Sequence, residues 1–83
     1  MKLLYFAWVR LEMGVSGETV EPPSDVLNVQ ALIEWLKERD TVSNKVFSDL
    51  ITVRVAVNQN YVGFDHPVKI GDEVAFFPPV TGG

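Results

Sequence analysis

No cysteine occurs in this chain, and that absence removes several chemistries together. Disulfides, thiolate zinc sites, cysteine-ligated iron–sulfur clusters and a cysteine nucleophile are all excluded. Histidine is nearly as scarce: a lone His66 cannot build a metal site or a Ser-His-Asp triad, so no metal is expected. Basic residues are few, with seven Lys and Arg against eleven Asp and Glu and a formal charge of −4. Phosphate backbones demand clustered Lys and Arg, so a nucleic-acid partner is not expected. An acidic body suits a partner with a basic docking surface.

Long apolar runs are also missing. Nothing approaches the roughly 20 apolar residues that span a bilayer. Leu3 to Val9 is too short for a signal-peptide core, and Arg10 and Glu12 stand where a small-residue cleavage site would be. The expectation is a cytoplasmic chain with no membrane partner. The glycines at 14, 17, 63 and 71 are scattered and make no phosphate loop. Asp72 and Glu73 are adjacent, point to opposite faces of a strand, and cannot act as a carboxylate pair. Asp65-His66 reads as a turn locked by Pro67. Nothing in the body looks catalytic.

What is present is a regular alternation. The 83 residues make one domain, small enough to bury only about 60–65% of its unfolded surface. Lys2 to Arg10 reads as a first strand, with Leu3, Tyr5, Ala7 and Val9 on one face and Leu4, Phe6, Trp8 and Arg10 on the other. Either this strand is buried on both sides, or one face is open to a partner. One helical turn is expected over Arg10 to Met13, closed by Gly14. Gly17 to Glu21 is a weak edge strand ended by Pro22-Pro23.

Asn28 is a plausible N-cap for the one long helix, with Leu27 stapled onto Leu32. Val29, Leu32, Ile33 and Leu36 then recur at helical spacing, while Glu34, Lys37 and Glu38 stay wet. Thr41 to Leu50 is a connector with a short helical turn near Val46-Phe47. Thr52 to Val57 is a strand with Val53, Val55 and Val57 inward, and Asn58-Gln59-Asn60 is turn chemistry. Tyr61 to Phe64 returns as a short strand. The last strand turns Val74 and Phe76 inward and Glu73, Ala75 and Phe77 outward. An open face would then carry Leu4, Phe6, Trp8, Ala56, Ala75 and Phe77, and such contiguous apolar surface marks a partner site.

The strand ends at Phe77 because Pro78 and Pro79 lack a backbone N–H and fix φ near −65°. From there Pro78-Pro79-Val80-Thr81-Gly82-Gly83 is expected to run stiff and extended and then to lose all bulk. The organisation expected is therefore a folded body over 1–77 and a tail over 78–83. A glycine pair fits a channel too narrow for any Cβ and leaves the Gly83 carboxylate sterically open.

This C-terminal stretch resembles that of the small subunits of molybdopterin synthase, which are ubiquitin-like sulfur carriers. The likeness extends upstream through Ala56-Val57-Asn58-Gln59-Asn60 and Val62-Gly63-Phe64-Asp65-His66-Pro67, and more loosely over Lys2 to Arg10. Periodicity alone supports α+β, one helix on one sheet. The resemblance implies the β-grasp fold, a mixed sheet of about five strands with one main helix across one face and the terminal strands side by side.

The same resemblance implies a chemistry. An activating adenylyltransferase would use ATP–Mg²⁺ to form an acyl-adenylate on Gly83, and sulfur from a donor enzyme would displace AMP to give a thiocarboxylate. That sulfur would pass, in the active site of a large catalytic subunit, to cyclic pyranopterin monophosphate, within a heterotetramer. No bound cofactor is implied. Phe6, Arg10 and Phe77 match interface positions of the family, while Tyr61 stands where an aliphatic residue is expected. Two other readings stay open: a carrier for thiamine or tRNA thiolation, and a ubiquitin-like modifier joined to protein lysines.

Overall fold

A computed structural model describes residues 1–79. In chain order it contains β1 (Lys2–Tyr5), α1 (Ala7–Met13), β2 (Gly17–Thr19), α2 (Val29–Arg39), α3 (Thr41–Val46), a 3₁₀ turn (Leu50–Thr52), β3 (Arg54–Val57), β4 (Asn60–Val62) and β5 (Glu73–Phe77). The five strands form one sheet in the order β2-β1-β5-β3-β4. β1 and β5 lie side by side and parallel, with Leu3 opposite Val74 and Tyr5 opposite Phe76; the other pairs are antiparallel. This mixed sheet with its helices is the β-grasp architecture, of α+β class.

Alternation decides which face is core. Leu3, Tyr5, Val55, Val57, Val74 and Phe76 are buried in one cluster with Val29, Leu32, Ile33 and Leu36 of α2. The helical stripe read from the sequence therefore meets the inward residues of the three central strands. Phe76 packs edge-on against Phe47, with centroids 4.9 Å apart, and stacks on Tyr5 at 6.3 Å.

The N-terminus of α2 is satisfied entirely by protein. Asn28 caps Ala31 N–H at 2.8 Å, as expected. The N–H groups of Val29 and Gln30 donate to the carbonyls of His66 and Phe64 at 3.0 and 2.8 Å. The Asp65-His66-Pro67 turn is thus a backbone clamp on the helix start. Leu27 stays 67% exposed while Leu32 is fully buried, so the expected staple does not form. Asn58 and Gln59 both have positive φ (50° and 70°), which makes the two-residue connection that joins β3 to β4.

Several expectations need correction. The strand expected from Lys2 to Arg10 ends at Tyr5, and the single turn expected at Arg10–Met13 is the end of a longer helix, α1. Ala7 turns the chain with φ of 53°, a conformation that costs a non-glycine residue about 1–2 kcal/mol. The helix so begun carries Val9 fully into the core and ends at left-handed Gly14. Trp8 is accordingly half-buried against the core instead of lying on the open face.

The connector expected over Thr41–Leu50 contains α3, capped by Asp40, whose carboxylate accepts from Ser43 N–H at 2.7 Å. Ser43, Val46 and Phe47 are buried at one-turn spacing. β3 starts at Arg54 rather than Thr52, because the 3₁₀ turn capped by Asp49 occupies Leu50–Thr52. β4 starts at Asn60 and ends at Val62, one residue early at its start and two short of Phe64.

Candidate docking face at the root of the tail

The sheet face opposite α2 holds a shallow groove of about 500 Å³, lined by Leu4, Phe6, Ala56, Tyr61, Ala75 and Phe77, with Gln59 and Glu73 as polar rim. The register places its members together. Leu4 pairs with Ala75, Ala75 with Ala56, and Ala56 with Tyr61, so four strands contribute one row across the sheet. The small side chains of Ala56 and Ala75 make the floor, and large ones make the walls. Phe6 is 49% exposed and Tyr61 77% exposed, both unusual for aromatics of that size.

Phe77 ends the face and begins the tail. Its ring lies 5.2 Å from that of Tyr61, tilted by 38°, within the ordinary range for an aromatic pair. Pro78 and Pro79 follow, both half-exposed. The expected residues Val80, Thr81, Gly82 and Gly83 lie outside the described residues.

Of the four expected interface residues, Phe6, Tyr61 and Phe77 share this groove. Arg10 does not line it. Arg10 is an exposed residue of α1, beside a separate depression of about 220 Å³ with Leu11, Gly14, Val15 and Ser16. Sequence reasoning does not find the polar rim: it reads Gln59 only as turn chemistry and Glu73 only as an outward strand residue. Their signal was two-residue spacing: Gln59 falls two before Tyr61, and Glu73 two before Ala75.

The titratable groups with shifted protonation are not among the lining residues of the groove and hold the fold. Arg39 grips Glu18 with both terminal nitrogens at 2.9 Å and holds its carboxyl below the usual range. Tyr5 Oη donates to the same carboxylate at 2.7 Å, and burial pushes the phenol well up. The network ties β1, β2 and the end of α2. At the start of β5, buried Asp72 accepts from Asn58 Nδ2 at 3.1 Å and Lys69 N–H at 2.9 Å. Burial alone would raise that carboxyl, but these donors outweigh it and hold it below the usual range.

A larger cleft of about 660 Å³ flanks Met1, between Pro22-Pro23 and Val68-Ile70, away from Phe77. It is mostly apolar, with Glu21 and Lys69 as its charged lining. Among the described residues no group of three or more His, Cys, Asp or Glu could hold a metal ion, and no helix is long and apolar enough to cross a membrane.

The sequence pattern of the ThiS family matches residues 3–83. The chain belongs to the ThiS family. The molybdopterin synthase sulfur carrier subunit of Escherichia coli (strain K12) is 42% identical over 83 residues, spanning 100% of this chain and 99% of that protein. Among solved structures, the putative molybdopterin converting factor, subunit 1, from Pyrococcus furiosus superposes with a TM-score of 0.74 at 37% identity, covering 95% of each chain. A chain in the complex of subunits 1 and 2 of the molybdopterin-converting factor from Helicobacter pylori has a TM-score of 0.64. It covers 99% of this chain and 96% of that one at 17% identity, a likeness of fold alone.

Proposed function

We propose that this ThiS-family chain is the sulfur carrier subunit of a molybdopterin synthase, with Gly83 as the residue that carries the sulfur. The observation that carries the reading is the apolar groove itself. Phe6, Tyr61 and Phe77 expose aromatic surface at the root of Pro78-Pro79-Val80-Thr81-Gly82-Gly83, so docking of the face aims the tail. The 42% identity to a named sulfur carrier subunit over the full chain supports the same reading.

In the proposed reaction the described body supplies no acid or base. A free α-carboxylate is ionised near neutral pH, with a pKa of about 3.5, and resists acyl transfer. An activating adenylyltransferase therefore joins a Gly83 carboxylate oxygen to the α-phosphorus of ATP, with Mg²⁺, and releases pyrophosphate. A sulfide-level nucleophile from a sulfur-donor enzyme then attacks the acyl carbon, AMP leaves, and a thiocarboxylate remains. Its sulfur attacks a carbon of cyclic pyranopterin monophosphate in the large subunit, and the C–O bond at that carbon breaks, its oxygen leaving with the bonding pair and taking up a proton. Water finally cleaves the acyl–sulfur bond, leaving sulfur on the pterin and a carboxylate on Gly83. A dithiolene needs two sulfurs, so two carriers are consumed per product, in keeping with a heterotetramer of two small and two large subunits in the cytoplasm.

Gly82 and Gly83 supply clearance, and Phe77 to Thr81 set reach and register. Arg10, outside the groove but exposed on α1, is assigned to the margin of the same interface. Intact mass after expression with and without the activating enzyme tests the reading. A shift from oxygen to sulfur that also takes a thiol-directed label supports it. The label separates the shift from oxidation of Met1 or Met13. An unlabelled chain, despite active enzyme, ATP and sulfur donor, contradicts it.

A further inference from the structure

Three non-glycine residues among those described have positive φ: Ala7, Asn58 and Gln59. The last two form the β3–β4 turn, where positive φ at both positions is what the hairpin requires. Ala7 has no such setting. It is neither glycine nor an Asn or Asp that tolerates the left-handed region, yet it holds φ of 53° between β1 and α1.

Its neighbour shows what the bend accomplishes. Phe6 N–H donates to Phe76 carbonyl at 3.1 Å, so Phe6 still belongs to the ladder with β5. Phe6 carbonyl accepts from Val9 N–H at 3.1 Å and Arg10 N–H at 3.4 Å, so it also caps the helix. Only Ala7 and Trp8 separate a half-exposed Phe6 on the groove from a fully buried Val9 on the core side. The chain changes layers at Ala7 alone. On one side β1 is pinned between β2 and β5, and on the other α1 is pinned by Val9. Any slack at this joint must be taken up by Phe6.

We infer that the left-handed Ala7 joint is a positioning element for docking: it presents Phe6 on the groove before the partner arrives. The inference rests on the proposed role of the groove in binding a large subunit. A pre-set anchor spares the ordering cost that a loose one incurs on association. Ala7 touches no partner in this account and acts through Phe6.

The test is titration calorimetry with the large molybdopterin synthase subunit of the source organism, on variants shown to be folded by amide NMR spectra. Ala7→Val, whose β-branch is incompatible with positive φ, should bind about tenfold more weakly or worse, as Phe6→Ala should. Ala7→Gly, and D-alanine introduced at position 7 by chemical ligation, both favour the observed φ and should stay within about threefold of wild type. In the Phe6→Ala background, Ala7→Val should cost almost nothing further, because its effect runs through Phe6. Should Ala7→Val fail to fold, Ala7→Leu, with no β-branch, takes its place in the same cycle. Wild-type affinity in the folded strained variant, or an undiminished loss in the Phe6→Ala background, overturns the inference. So does loss of binding with D-alanine. If neither Phe6→Ala nor Phe77→Ala weakens binding, the docking role of the groove falls instead.

Discussion

Tyr61 and Phe77 sit on strands separated by β3, yet their rings lie 5.2 Å apart on the face turned away from the helix. One residue further back, Phe76 is fully buried between Tyr5 and Phe47. Two adjacent phenylalanines therefore do different work: one fills the core, and the next serves the surface from which the tail departs.

That division has a direct consequence. Phe76→Ala should destabilise the domain by about 3–5 kcal/mol, the cost of emptying a core aromatic site. Phe77→Ala should leave the melting temperature nearly unchanged and weaken association with the large subunit by about 1–3 kcal/mol. Thermal melts and calorimetry on both variants check this. Equal loss of stability from the two would mean that both faces of β5 are core.

Asp72 should make the fold acid-sensitive. Its folded pKa is held below the ordinary value, so the folded state binds fewer protons than the unfolded chain. The resulting stability is present above the unfolded pKa of about 3.9 and is lost as pH falls through the folded value. Asp72→Asn removes a carboxylate acceptor from Asn58 Nδ2 and Lys69 N–H and should cost about 1–3 kcal/mol at neutral pH. The gap between variant and wild type should narrow as pH drops below about 4. Denaturant melts across that range would show it, and a constant gap would exclude this role.

Gly17 should tolerate no side chain. A Cβ there would stand 2.6 Å from Leu3 carbonyl oxygen, which is backbone and cannot swing aside. Gly17→Ala should loosen β2 from β1 and lower stability by about 1–3 kcal/mol, measurable by thermal melt.

The sequence was most legible where periodicity, caps and breakers agreed. The α2 stripe, its Asn28 cap, the Asn58-Gln59 turn and the Val74/Phe76 alternation each gave one answer. Lys2 to Arg10 was ambiguous because an almost unbroken apolar run fits a strand or a buried helix equally well. Only the core's demand for Val9, met through a left-handed Ala7, separates the two. α3 was hidden for a different reason: its buried side is Ser43, Val46 and Phe47, and one member of that stripe is polar. Of the groove, the outward residues of the strands could be read in advance. The polar rim is signalled only by two-residue spacing, and that signal is weak because Gln59 sits in a turn and the pairing that brings Glu73 near it is long-range.

The central claim is that Gly83 carries sulfur and that its placement, once the face is docked, sets the rate. Gly82→Ala keeps the length but adds a Cβ where the channel should have no room. One residue added after Gly83 keeps a carboxylate and moves it by about 3.5 Å. Neither change touches Phe6, Tyr61 or Phe77, so binding to the large subunit should hold. Misplacement of even about 1 Å can cost a hundredfold in rate. The most direct measurement is single-turnover sulfur transfer to cyclic pyranopterin monophosphate, in complex with the large subunit. It compares chemically prepared thiocarboxylates of the wild-type and extended chains, with mass confirming that the extension stays uncleaved. The account predicts transfer from the wild type and a loss of about a hundredfold or more in the extended chain. Full transfer from the intact extension would contradict it.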